Sequence, residues 1–338
     1  MGTRMRNSLS VNFMLVFQSK FWKRSIIFVF IFLVFNPVFA YNPDDVARDF
    51  LWNKVINLAK ENRPKAALAL SAGGTRGFAH VGVLRVLTDA GMPIDCVAGA
   101  SAGAFVGAFY SAGYPLQKLW DIVSDVDVKM NLRGFVNLTM IQIAFMDKLA
   151  SSGKIEKMVN KAIGDISFKD LKIPFSCSAM DIKTGEKIIF NSGKVSKAVR
   201  ASMNLPGIFK PVEYRHRYLV DGGVIDYLPV DSAKKLCKGG WILASVTKGD
   251  FSLQSLKNVL SYYLQVIEIR GSLLIANEAK KANFVIEPNV GEIGSTDLAN
   301  SLAAGKIGLR QAYRDLNLVK ESYILFSLKN VLEKYFKN

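Results

Sequence analysis

Two short apolar runs, residues 66–70 and 94–98, each end in a glycine-rich turn that leads directly into a stretch with helical spacing. This repeated unit restricts the fold more than any other feature of the chain. Residues 66–70 lie between Pro64 and Gly73-Gly74-Thr75-Arg76-Gly77. Residues 78–90 then show helical periodicity at Val83, Val86, Leu87 and Ala90, stopped by Gly91. The second run leads through Gly99-Ala100-Ser101-Ala102-Gly103 into a helix over 102–112, ended by Gly113 and Pro115. A β-α-β-α order with tight turns implies a parallel sheet covered by helices. In such sheets reactive groups gather at the carboxyl ends of the strands, where both glycine-rich turns lie.

The rest of the chain reads coarsely. A helix is expected over 44–60, another over 155–163, and strands over 175–180, 187–190, 218–220 and 241–246, the last closing the sheet. The apolar segment 115–149 includes Phe135-Val136-Asn137-Leu138-Thr139-Met140-Ile141, expected as a core helix, with a lid or an interfacial face near the site as the alternative. Residues 323–336 carry Ile324, Leu328, Val331, Leu332 and Tyr335 on one stripe. That tail is expected to pack on the domain, membrane contact being the alternative. The expected organisation is a targeting segment over 1–40, a helix within 41–65, a catalytic domain over 66–250 and a helical part over 251–338 packed on it.

With half of its 338 residues hydrophobic and 21% charged, the chain is globular rather than disordered. Its net charge is +16, of which Arg4, Arg6, Lys20, Lys23 and Arg24 supply +5 before any acid, leaving +11 for the rest. Such a balance favours anionic partners. No arginine-rich stripe or aromatic RNA-binding motif is present, so the expected partner is an anionic membrane surface and not nucleic acid, a merely solvated basic surface being the bland alternative. Lys20, Lys23 and Arg24 precede the apolar run 25–35, and Val38-Phe39-Ala40 supplies small residues at a cleavage position. Residues 25–40 fall short of the ~20 apolar residues of a membrane-spanning helix. The expectation is export across the inner membrane to a periplasmic or membrane-associated location, with an uncleaved N-terminal anchor as the alternative. Cys96, Cys177 and Cys237 are odd in number and show no C-x-x-C, so neither a zinc site nor a disulfide framework is suggested, and Cys96 reads as a buried thiol.

The chemistry concentrates in three places. Gly99-Ala100-Ser101-Ala102-Gly103 matches G-x-S-x-G between a strand and a helix. There a sharp turn projects the serine hydroxyl, and the glycines remove side chains that would strike the neighbouring backbone. Gly73, Gly74, Thr75, Arg76 and Gly77 form a loop whose backbone N–H groups can face an oxyanion at a helix mouth, with Arg76 bracing the loop or attracting an anionic head group. A dinucleotide site is rejected, because Ala72 replaces the first glycine of G-x-G-x-x-G and Asp95 begins its strand instead of ending it. A serine nucleophile needs a base, yet His80 lies in the first turn after the loop and His216 lies between Arg215 and Arg217. Neither is placed as a triad histidine. Asp221-Gly222-Gly223 supplies a carboxylate instead, a D-G hairpin turn being its structural alternative. Burial would have to raise that carboxylate from its ordinary pKa of ~3.9 before it could serve as a base. A weak base of this kind suits an alcohol leaving group, hence ester over amide substrates.

Together these three motifs, with Arg200-Ala201-Ser202, Pro206-Gly207 and Pro211, resemble the patatin-like phospholipase family over residues 66–246, residues 287–312 being similar to its usual ending. The bacterial members related to neuropathy target esterase are nearest in pattern. The resemblance implies a three-layer α/β/α sandwich with a mostly parallel central sheet. It further implies a Ser–Asp dyad in which Ser101 attacks a lipid acyl ester, Asp221 accepts its proton and the Gly73–Gly77 loop holds the oxyanion, without metal or cofactor. Asp226 stands where members often carry Asn, which makes the surroundings of Asp221 more acidic if the two carboxylates are close. An acyltransferase using the same serine and a catalytically silent membrane-binding protein are the rival functions.

Overall fold

The computed structural model describes residues 43–133, 149–253 and 259–336. The chain divides into two compact units, Met1–Leu51 and Trp52–Asn338, and helix α1 (Pro43–Ile56) begins in the first and ends in the second. The expected targeting segment, and the lid candidate within 115–149 from residue 134 onward, lie outside the described residues. Among the described residues no helix is long and apolar enough to cross a membrane.

The second unit is built on an eight-stranded sheet: β1 (Ala66–Leu70), β2 (Cys96–Gly99), β3 (Phe175–Asp181), β4 (Lys187–Phe190), β5 (Val212–Tyr214), β6 (Arg217–Asp221), β7 (Trp241–Ser245) and β8 (Phe284–Ile286). The spatial order is β5-β6-β3-β2-β1-β7-β8, with β4 pairing β3. The pairings β3–β2–β1–β7–β8 are all parallel, whereas β4, β5 and β6 join antiparallel at one side. Every residue of β1, β2 and β7 is buried, as a continuous apolar run in a doubly covered parallel strand requires. The sheet does not close at β7 as the sequence reading had it. The short strand β8 adds outside it, because the helical region after residue 251 returns a three-residue extended segment to that edge.

Alternation along the strands separates two cores. Ala67, Ala69, Cys96, Ala98, Ile242 and Ala244 face one way, against α7 (Val230–Leu236) and Ile275 of α8 (Val259–Ala279). Leu70, Val97 and Phe175 face the other way, against Gly107 of α3 (Ala102–Ser111). The result is the expected α/β/α sandwich. The same unit also holds α2 (Ala79–Asp89), α4 (Leu116–Arg133), α5 (Gly153–Ile163), α6 (Val195–Ser202) and α9 (Ser301–Phe336).

Burial along the stripe of the tail changes from residue to residue. Tyr323 and Ile324 are buried, Leu328 is exposed, and the side chains from Val331 onward are outside the described set. Helix α9 crosses α2 at glycines: a Cβ on Gly82 would strike the Gly305 carbonyl, and one on Gly308 would strike the Ala79 carbonyl.

The cysteine expectation is corrected. Cys96 and Cys237 form a disulfide joining β2 to the end of α7, while Cys177 is a free buried thiol. Their sequence separation of 141 residues hides this pairing from any local motif, and only the packing of α7 on β2 brings the two together.

Candidate active site

Strand register sets the stage. Leu70 is level with both Gly99 and Ser245, so the turns after β1, β2 and β7 emerge at one rim of the sheet. Gly99 is level with Cys177 on β3, and two residues further Ala179 pairs Asp221, the last residue of antiparallel β6. The turn after β2 and the end of β6 therefore converge across β3.

Ser101 occupies a bend of φ 51° and ψ −118°, a backbone region that non-glycine residues rarely enter. Its neighbours make the bend possible. A Cβ on Gly99 would collide with the Gly103 carbonyl, and one on Gly103 with the carbonyls of Leu70 and Ser71. Helix α3 starts at once behind the serine and turns its positive end toward it. The Ser101 amide donates to Ser202 Oγ at 3.0 Å, which pins the bend from the end of α6.

Asp221 is buried, at 3% exposure. Its Oδ2 accepts the Ser101 hydroxyl at 2.6 Å, and its Oδ1 accepts the Gly223 amide at 2.7 Å. Its own amide donates to the Asn204 carbonyl at 3.0 Å. Burial, partly offset by the Ser101 and Gly223 hydrogen bonds, pushes the carboxyl up to about 7. Gly222 and Gly223 provide close approach, the first to the Ser178 carbonyl and the second to Ala72 beside the Gly73 loop. Asp221-Gly222-Gly223 is thus a strand end passing into a 3₁₀ turn, not a hairpin.

The Gly73–Gly77 loop lies against this pair. A Cβ on Gly77 would overlap that of Ala102, so the two glycine-rich turns touch. The Thr75 amide donates to Ser295 O at 2.8 Å and the Arg76 amide to Gly73 O at 3.2 Å, so both are committed within the fold. Gly73 (φ 157°) and Gly74 (φ 57°) hold amides that meet no acceptor among the described residues. Both positions demand glycine, since side chains there would strike Thr247 and Ser295. The Arg76 side chain is fully buried, donating to Ile293 O at 3.0 Å and pairing with Glu268 at 2.8 Å. It braces the loop from inside and does not reach outward to a head group.

The two histidines stand apart. His80 is fully buried, with Nε2 against Ser71 O at 3.0 Å and Nδ1 against Ser245 Oγ at 2.8 Å. A carbonyl only accepts, so Nε2 carries the proton and the Ser245 hydroxyl donates to Nδ1. Burial lowers the ring pKa to about 4 and keeps it neutral. His216 and Arg215 form the exposed, positive-φ tip of the β5–β6 hairpin, about 16 Å of strand away from Asp221. Asp95 immediately precedes β2 at the far rim, held by both Nη atoms of Arg63 at 2.6 and 3.0 Å and by the Ala66 amide. Asp226 is buried and faces Lys187 at 3.3 Å, so a cation meets it, and the rise at Asp221 has burial as its cause.

The motifs do not mark Ser202 or Asn204 as individual contacts. They lie within or beside the Arg200-Ala201-Ser202 stretch and touch the backbones of Ser101 and Asp221 from one segment. Ser202 acts through its hydroxyl and Asn204 through its backbone carbonyl, so only these contacts reveal them.

A family model described as patatin-like phospholipase matches residues 68–234, spanning both glycine-rich turns and Asp221. The chain carries a patatin-like phospholipase domain. An uncharacterized NTE family protein of Mycobacterium bovis is 35% identical over 167 residues, covering 49% of this chain and 45% of that one. Lysophospholipase NTE1 of Kluyveromyces lactis is 30% identical over 207 residues, covering 60% of this chain and 14% of that one. The chain thus spans less than half the length of these curated relatives. Among solved structures, human GIVD cytosolic phospholipase A2 superposes with a TM-score of 0.44 at 10% identity, covering 83% of this chain and 64% of that one. The matched region places the patatin-like domain over β1 to α7, while β8, α8 and α9 lie beyond it.

Proposed function

We propose that this patatin-like domain hydrolyses carboxylic esters of phospholipids or lysophospholipids, with Ser101 as nucleophile and Asp221 as general base. The observation that carries the reading is the 2.6 Å hydrogen bond from the Ser101 hydroxyl, on a strained bend, to a buried carboxylate. At about 7 that carboxylate is ionised in a substantial fraction of molecules at neutral pH and is basic enough to take the proton as Oγ attacks the acyl carbon. The carbonyl oxygen becomes negative as the C–O bond forms, and the Gly73 and Gly74 amides are free to receive it. Asp221 returns the proton to the departing alcohol, leaving an acyl-serine. Water then attacks that ester and gives a proton to Asp221, which passes it to Ser101 Oγ as the acyl–oxygen bond breaks and the fatty acid leaves, restoring the starting pair. An alcohol leaves more readily than an amine, so a single carboxylate suffices without a histidine. Relatives bearing the name lysophospholipase support the substrate class.

A fluorophosphonate probe should label the wild-type protein and fail to label Ser101→Ala. Fatty-acid release from a panel of phospholipids and lysophospholipids should vanish in Ser101→Ala and fall at least ~10³-fold in Asp221→Asn. Full activity in a folded Asp221→Asn protein would overturn the dyad. Including an alcohol acceptor in the same assay separates hydrolysis from acyl transfer by product.

The proposal extends to compartment. The charged-then-apolar start supports export, and so does the Cys96–Cys237 disulfide, since such bonds persist mainly in oxidising compartments. Fractionation of cells producing the full chain should recover it outside the cytoplasm, and a wholly cytoplasmic protein would end this part of the reading.

A further inference from the structure

We propose that the outward face of α8 seats the protein on the anionic lipid surface that presents its substrate, an assignment that rests on the lipid-hydrolase reading above. Val259, Tyr262, Tyr263, Val266, Ile269 and Leu273 are all exposed, Val259 at 85% and Leu273 at 68%. Their spacing follows the helical repeat, so they form one stripe about 21 Å long rather than scattered apolar residues. The opposite side of the same helix is committed to the domain. Leu264 and Ile275 are buried, and Gly271 lies against the Tyr227 ring. Glu268 pairs with Arg76 inside the Gly73–Gly77 loop.

Charge selects the occupant. The only acids of α8 are Glu268 and Glu278, and both are held in ion pairs, with Arg76 and Lys281. The exposed side carries Arg270, with Lys280 just past its end, on a chain of net charge +16. A second copy packed face to face would offer Arg270 no carboxylate from this stripe. A bilayer offers phosphate groups to the arginine, an interfacial zone suited to the two tyrosines, and acyl chains to the aliphatic residues. Position agrees with this choice. Glu268 lies one helix width behind the stripe and pairs with Arg76 of the loop that carries the free Gly73 and Gly74 amides, so seating α8 brings that loop to within about 10 Å of the lipid.

The full-length triple variant Tyr262→Ser/Val266→Ser/Leu273→Ser tests this with vesicles of equimolar phosphatidylcholine and phosphatidylglycerol. Vesicle affinity and hydrolysis of vesicle phospholipid should both fall ~100-fold, while the melting temperature and turnover of a soluble short-chain nitrophenyl ester stay at wild-type values. In a separate Leu273→Trp protein, the added indole emission should shift to the blue on vesicles and be quenched by brominated acyl chains. Wild-type vesicle binding by the triple variant, or added emission that brominated chains leave unquenched in the Leu273→Trp protein, overturns the proposal. So does a wild-type dimer that the triple variant dissociates, which would make the stripe a contact between copies. Vesicle binding that depends on the stripe in a protein that hydrolyses neither substrate would uphold the docking face and defeat the hydrolase reading, so the two fail separately.

Discussion

In the proposed dyad Asp221 has to be buried to be basic and has to touch Ser101 to accept its proton, and the two demands act on stability in opposite ways. Its carboxyl is shifted from its ordinary value up to about 7 by burial, so the folded state holds a proton that the unfolded chain releases near pH 4. Stability is therefore greatest below the unfolded value and is lost as pH rises toward 7. Asn at this position still accepts the Gly223 amide and carries no charge to desolvate. Asp221→Asn should match the wild-type melting temperature near pH 4 and exceed it by ~5 °C at pH 8 in a pH series of thermal melts. In the wild type, kcat/KM should rise with pH through an apparent pKa near 7 and then level off. Ser202 makes a second prediction, because its hydroxyl accepts the amide of the strained serine. Ser202→Ala should lower kcat ~10-fold with little change in KM, and Ser202→Thr should restore part of the loss. An equal fall in stability and activity that Thr does not mend would mark the hydroxyl as merely structural.

At the scale of elements, the site depends on how closely backbones approach. The turns after β1 and β2 touch through Gly77 and Ala102, and the crossing of α2 by α9 fixes the helix that leaves the Gly73 loop. Gly82 lies in that crossing against Gly305, with no room for a side chain. Gly82→Val should destabilise by ~1–3 kcal/mol, read as a fall of roughly 3–10 °C in melting temperature, with the loss of activity following the loss of folded protein. An unchanged melt would mean that α9 can move away at no cost.

For the whole molecule, the disulfide ties the strand that delivers Ser101 to the helix that follows Asp221. Closing a 141-residue separation removes about 5 kcal/mol of unfolded-chain entropy at most in the loop-entropy treatment. Cys96→Ser/Cys237→Ser should therefore melt ~10 °C lower, measured beside the wild type with and without reductant. The wild type should shift similarly under reductant only once the bond opens, since both sulfurs are buried. Association of the +16 chain with anionic vesicles should weaken as salt is raised, because screening shortens the reach of its charges. Binding indifferent to salt would assign the attraction to the apolar stripe alone.

The parallel sheet, the serine bend, the Gly73–Gly77 loop and the aspartate at a strand end were all legible in the chain itself. Each is a local event, in which a continuous apolar run, a glycine with no room for a side chain or a helix start is written within a few adjacent residues. What joined them was not. The hydrogen bond between Ser101 and Asp221 spans 120 positions and the Cys96–Cys237 bond 141, and strand order alone determines such meetings. Tertiary contacts also withdrew the Thr75 and Arg76 amides from the expected oxyanion donors, turned Arg76 inward to Glu268, and recruited Ser202. Burial, which raises Asp221 to about 7, belongs to the folded chain and to no motif, because desolvation depends on everything packed around a carboxylate and not on its neighbours in sequence.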